Sequence, residues 1–186
     1  MRNWILRDLC DDNLLEAVER NLFEHFYFLP SRHPKMHVVT EEDLIMIDTH
    51  LPSSHLNMIC ATKNAFENIE KKIEKIHSHF SAKKFEFSWL LGPTGPIDLI
   101  SHRLFSSGYN LSKVIDAMII NLSVFRKKLK YLPGYRVQQA LTKATILDVA
   151  KVYSKKYTHY KDITSYFEKI SNLAFHTLHR CTIQVF

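Results

Sequence analysis

The sequence predicts an α+β fold, and three observations carry that prediction. Segments with apolar residues at helical spacing alternate with short β-like runs. A Gly-Pro turn separates one such run from the helix that follows it. With 4 Gly and 6 Pro in 186 residues, and 46% hydrophobic against 24% charged, the composition is that of a folded globular chain and not of a disordered or fibrous one.

The elements follow in order. Over residues 12–28, Leu14, Leu15, Val18, Leu22, Phe23 and Phe26 recur at helical spacing, with Asp11 or Asp12 as N-cap and with Pro30 and Pro34 closing the helix. Residues 44–48 and 56–60 are two short β-like runs joined through Leu51-Pro52-Ser53-Ser54, the pattern of a hairpin. Residues 63–80 form an amphipathic helix with Phe66, Ile69, Ile73, Ile76 and Phe80 as its apolar stripe. Residues 85–91 read as a buried strand ending at Gly92-Pro93-Thr94-Gly95-Pro96. Pro96 suits the first turn of a helix to Ser107, and Gly108 stands where a left-handed C-terminal residue is needed. Residues 109–122 read as a long strand. Beyond a basic stretch, a strand over 135–141, helices over 142–157 and 162–179 and a strand-like 182–186 are expected. The chain stops inside that last β-pattern, which predicts a truncated unit with an exposed edge able to pair with the first sheet or with a second copy.

Charge and cysteine usage narrow the function classes. No apolar run reaches the roughly 18–20 residues a bilayer span requires, and the first twelve residues carry three Asp and no continuous apolar core. Cys10, Cys60 and Cys181 are far apart and odd in number, forming neither a metal knuckle nor a disulfide framework. A cytoplasmic protein without membrane contact is the expectation. The net charge of +6 hides a gradient: residues 1–60 hold 5 Lys/Arg against 10 Asp/Glu, residues 61–122 hold 8 against 6, and residues 123–186 hold 12 against 3. The basic run Arg126-Lys127-Lys128-Leu129-Lys130 is short and reads as a solvated linker, which argues against nucleic acid as the partner.

The run Phe87-Ser88-Trp89-Leu90-Leu91-Gly92-Pro93, then Asp98-Leu99, then Leu104-Phe105-Ser106-Ser107-Gly108-Tyr109, with Met118 to Leu122 after it, resembles a pattern of tandem proteins of the GNAT superfamily of N-acyltransferases. Asn57 in the second hairpin strand fits the same pattern. The resemblance implies a GNAT-like mixed sheet flanked by helices. It divides the chain into a first lobe at 1–125, a basic linker at 126–134, and the opening strand, two helices and second strand of another unit at 135–186. It also implies an acetyltransferase relationship, with acetyl-CoA as cofactor and a small-molecule amine as acyl acceptor.

The chain departs from that family at two places. GNAT proteins hold the acyl-CoA pyrophosphate on a Gln/Arg-x-x-Gly-x-Gly/Ala loop at a helix N-terminus, where glycines let backbone N–H groups approach the phosphates. The corresponding turn here is Ala61-Thr62-Lys63-Asn64-Ala65-Phe66, without a glycine. Lys63 offers a point charge only, and with Gly92, Thr94 and Gly95 it makes up the candidate cofactor-binding set; Asn57 and Trp89 are the candidate ligand-cleft residues. Aligning Gly108-Tyr109 with the family's Gly-Phe puts Ile97 where an Asn is expected and Leu104 where a Tyr protonates the departing thiolate. No catalytic residue is named by this reading, and a chain inactive by itself is expected, the alternative being a non-catalytic module that binds a small ligand or a protein.

Other chemistries find no pattern. His77 and His79 are two apart and face different sides of a helix; His176 and His179 are three apart but lack a carboxylate or thiolate at zinc spacing. There is no nucleophile-elbow serine, no phosphate-binding glycine loop and no HExxH. Phe87 and Trp89 share one face of their strand, where core packing competes with a ligand-facing Trp beside the Gly92–Gly95 turn.

Overall fold

The computed structural model describes residues 10–62, 68–117, 119, 133–134, 140, 142–156 and 160–177. Among them lie five α-helices and a four-stranded mixed sheet, an α+β arrangement. Helix α1 is Asp11–Tyr27, followed by a 3-10 turn Pro30–Arg32. Strands β1 (His37–Thr40), β2 (Leu44–Asp48) and β3 (Met58–Ala61) run antiparallel in sequence order. Helix α2 (Ile69–Lys83) then crosses over to β4 (Ser88–Leu91), which lies parallel to β3, Ile59 pairing with Trp89. Helix α3 is Ile97–Ser106, and α4 (Lys143–Lys156) and α5 (Tyr160–Thr177) complete the described elements.

Both faces of the sheet are covered, which is why β2 up to Asp48 and β3 are continuously apolar rather than alternating. Ile45, Ile47 and Cys60 pack with Phe23, Leu22, Phe26 and Tyr27 of α1. On the opposite face, Leu44 and Ile59 pack with Ile76 and Phe80 of α2, and Ala61 joins Ile69, Ile73, Ile100 and Leu104. The described part of the expected stripe, Ile69, Ile73, Ile76 and Phe80, is the buried face of α2, while Phe66 and the expected start at 63 lie outside the described residues; the helix continues to Lys83, where Lys84 closes it in the left-handed region (φ 55°). Gly108 takes the expected left-handed position after α3 (φ 88°), a conformation a glycine adopts without steric cost.

Helices α4 and α5 pack on each other and on the end of the sheet. Ile146, Val149 and Ala150 of α4 meet Ile163, Phe167 and Ile170 of α5, and Met36, Leu29 and Leu56 from the sheet region close this cluster.

Several expectations differ from the structure. Strand β1, four residues after the 3-10 turn, was not anticipated. The N-cap position of α1 falls on Cys10, without a side-chain cap. The long strand expected over 109–122 is absent from its described part: residues 109–117 and 119 join no ladder, and Leu111, Val114 and Ile115 are exposed. The segment follows the Gly108 turn with its apolar side chains outward, so the β-propensity of its residues is overruled by the lack of a strand partner. The basic run 126–130, most of 135–141 and the terminal 182–186 with its expected dimer edge lie outside the described residues. No described helix is long and apolar enough to cross a membrane.

Candidate functional site

The two ends of the sheet carry different chemistry. At the end formed by the start of β2 and the finish of β3 and β4, α1 and the Gly92–Pro96 turn enclose a cavity of about 290 Å³. Its wall includes Glu16, Glu19, Glu24 and Glu42 together with the rings of Phe23 and Tyr27; Arg20, Ile45, Thr62 and Thr94 complete it. Glu19 is the pivot. It stands on the buried stripe of α1, one turn from Phe23, and is only 7% exposed. Its Oε2 accepts hydrogen bonds from the Thr94 backbone N–H at 3.1 Å and the Thr94 hydroxyl at 2.7 Å.

Thr94 therefore reaches the cavity, while Gly92, Thr94 and Gly95 do not form a phosphate cradle. The Gly92 N–H points to the Ala61 carbonyl at 3.4 Å and the Gly95 N–H to the Gly92 carbonyl at 3.5 Å. Gly92 is required for a different approach: a Cβ there would overlap the Glu19 carboxylate. The turn is thus built around an acid. A wider depression of about 480 Å³ lies along Gly95–Leu99 at the start of α3, where Asp98 puts a negative charge in the first helical turn. Lys63 lies outside the described residues.

Burial, with the carboxylates second, shifts two titrating groups beside the cavity. Burial and then Glu19 push the Cys60 thiol up to about 12, which leaves it protonated and unreactive. Burial and then Glu24 raise the Tyr27 phenol above its ordinary value, Arg32 opposing them.

Neither Asn57 nor Trp89 lines the cavity or the Gly95–Leu99 depression. Asn57 is fully buried. Its Oδ1 accepts from the Thr49 N–H (3.0 Å) and hydroxyl (2.9 Å), and its Nδ2 donates to the carbonyls of Leu51 (2.7 Å) and Glu86 (2.9 Å). All four amide valences are satisfied by protein, so Asn57 ties the β2–β3 loop to the approach of β4. Trp89 packs among the α2 and α3 side chains, and neighbouring Phe87 stacks on Phe80 with ring centroids 4.6 Å apart. The buried Trp89 indole N–H meets no acceptor at full hydrogen-bond geometry; the Tyr109 hydroxyl is near enough to be favoured by it as phenolate, although burial still raises that phenol. Leu104 is core, while Ile97 is 41% exposed.

At the other end, Asp48 closes β2 with no exposed surface. Its Oδ2 receives His79 Nε2 at 2.8 Å and the Lys83 ammonium, and its Oδ1 accepts the His50 backbone N–H at 2.9 Å. Burial by itself would raise the carboxyl, but Lys83, the His50 amide and His79 together hold it below its ordinary value. His77, two residues from His79, faces elsewhere, with Nδ1 3.3 Å from the Tyr109 hydroxyl.

Sequence reasoning passed over Glu19 and Asp48. For Glu19 the signal was a carboxylate inside the i, i+4 apolar stripe; for Asp48 it was an acid ending a run of four apolar residues. Neither is free of cost in such a place without partners, and each has them. Among the described residues no group of His, Cys, Asp and Glu is arranged to hold a metal ion. Compared with models of known protein families, with characterised proteins and with solved structures, the chain finds no match.

Proposed function

We propose that the chain is a GNAT-like lobe that binds a small cationic amine in the cavity between α1 and the Thr94 turn, and that it does not transfer an acyl group by itself. The observation that carries the reading is the lining of that cavity: four carboxylates against one cation, Arg20, and two aromatic rings around about 290 Å³. Carboxylates pair with ammonium groups, and ring faces add cation–π attraction. The order of elements supports the family part of the reading, with three antiparallel strands, a crossover helix and a parallel fourth strand.

The same features disfavour acetyl-CoA. A pyrophosphate seated at the Gly92–Gly95 turn would meet Glu19 and Asp98 in place of backbone donors. No described residue occupies the place of the thiolate-protonating Tyr, since Leu104 is buried among Ile69, Ile73 and Ile100.

Titration calorimetry of the chain with spermidine, and separately with acetyl-CoA, tests this. Saturable spermidine binding that weakens at least about tenfold in Glu24→Gln/Glu42→Gln, with no heat from acetyl-CoA, is the expected result. Acetyl-CoA binding with spermidine inert would overturn the reading and make acyl transfer the assay to run.

A further inference from the structure

Asp48 is encircled by more positive charge than it can neutralise. The groups come from four elements that are distant in sequence. His37 of β1 is the cross-strand partner of Asp48, and its ring lies over that of His79 with centroids 6.4 Å apart. His79 and Lys83 of α2 bond Asp48 and stand 3.3 Å from each other. The His50 ring has Nδ1 4.0 Å from Asp48 Oδ1. Lys169 of α5 donates to the Thr49 carbonyl at 3.4 Å, the residue next to Asp48. His33 and Lys35, before β1, face Lys169, and the Lys35 backbone N–H donates to His33 Nδ1 at 3.1 Å.

The mutual repulsion is visible in the titrations. Lys169 is lowered by burial and then by Lys35, Asp48 opposing. His33 is lowered by burial, then by Lys169 and Lys35. Lys83 bonds the carboxylate, Lys169 bonds the carbonyl beside it, and Lys35 acts on Lys169; counted together, three ammonium groups accompany one carboxylate before any imidazole protonates. Most of these side chains are partly exposed, so a solute can reach them. A half-buried surplus of ammonium and imidazole N–H groups converging from several elements is what a multivalent oxyanion needs.

We propose that the cluster of His33, Lys35, His37, His79, Lys83 and Lys169 around Asp48 is a binding site for the phosphate group of a small molecule. Two negative charges match the surplus, and the several oxygens of a phosphate accept donors from β1, α2 and α5 at once. Asp48 holds Lys83 and His79 in place from below, as a positioning residue. The site lies at the opposite end of the sheet from the acidic cavity and does not depend on the reading of that cavity.

The experiment is calorimetric titration of the chain with inorganic pyrophosphate, with adenosine diphosphate and with a short single-stranded oligonucleotide, at about pH 6 and about pH 8. Expected is saturable binding of pyrophosphate or the nucleotide, tighter at the lower pH, and weakened at least about tenfold in Lys35→Gln/Lys169→Gln. A nucleotide binding no better than pyrophosphate marks the free anion as the source; a nucleotide binding better marks a phosphorylated metabolite. Lys169→Arg keeps the charge and retains binding, and the thermal midpoint of each variant separates lost contacts from lost folding. Absence of binding, binding indifferent to the double substitution in a folded variant, or binding of the oligonucleotide alone with a steep salt dependence would each overturn the proposal.

Discussion

The two ends of the sheet each bury one carboxylate, and they solve the same electrostatic problem in opposite ways. Asp48 is neutralised by cations: Lys83 and His79 bond one oxygen, and the His50 amide bonds the other. Glu19 is instead held by neutral donors, the amide and hydroxyl of Thr94, with further carboxylates around the adjoining cavity. One end is left with surplus positive charge and the other with surplus negative charge. Burial is the first cause of the nearby shifts and the local charge adds to it: Lys169 and His33 are pushed down at the first end, Cys60 and Tyr27 up at the second. A chain with a modest net charge thus places side-chain clusters of opposite charge at the two ends of a sheet whose strands are only four or five residues long.

Substitution should separate the ends most strongly at Asp48. Asp48→Asn leaves Lys83 and His79 without their anion in a shielded place, and a loss of about 3 kcal/mol in unfolding stability is expected from denaturant titration. A cost near zero would mean that the cations are solvated and that the two ends do not differ as described. Next in size is Gly92→Ala, where the added methyl displaces the Glu19 carboxylate; about 2 kcal/mol is expected, and Gly92→Ala/Glu19→Ala should recover part of it because the clash is removed. A double variant no better than the single one would place the strain elsewhere.

The pH profile sharpens the comparison further. At the Asp48 end the folded pKa values lie below the ordinary ones. The contribution of His33 is present above 6.5 and is lost as pH falls below it, and that of Asp48 is present above 3.8 and is lost as pH falls below that. At the Glu19 end they lie above. The Cys60 contribution is complete below 9.0 and is lost as pH rises towards about 12, and Tyr27 acts in the same direction above 10.0. Acid should therefore loosen α5 from Thr49 first, and alkali should loosen α1 from β3. Amide exchange measured across pH checks this, and simultaneous loosening of both regions at either extreme would contradict it.

Much of the scaffold was legible in the sequence because it rests on local periodicity. The stripe Ile69, Ile73, Ile76 and Phe80 identified the face of α2 that is buried, and Gly108 marked the stop of α3. The described residues 109–117 misled because apolar and β-branched residues state a propensity, while a strand needs a partner that no local pattern supplies. Strand β1 was missed for the converse reason: His-Val-Val-Thr is too short to signal itself, yet it pairs along its whole length with β2.

The sites were harder to read than the fold. Asn57, Trp89 and the Gly92–Gly95 turn stood out in the sequence as candidates for ligand contact, and the structure gives each an internal duty: stitching a loop, packing against α2 and α3, and making room for Glu19. The Asp48 cluster joins residues 33 to 169, and a sequence without its fold cannot show that these positions meet. What the sequence does hold is the charge of each participant. The three-dimensional meeting of those charges is the new information.

The central claim, two ligand preferences at two ends of one sheet, is tested most directly by amide NMR of a single isotope-labelled sample titrated with spermidine and then with pyrophosphate. Spermidine should shift the amides of Glu19, Thr62 and Thr94, and pyrophosphate those of Lys35, Thr49, His50 and Lys169, with each set indifferent to the other ligand. Both ligands shifting one shared set, or pyrophosphate shifting Thr94 and Gly95, would contradict the account.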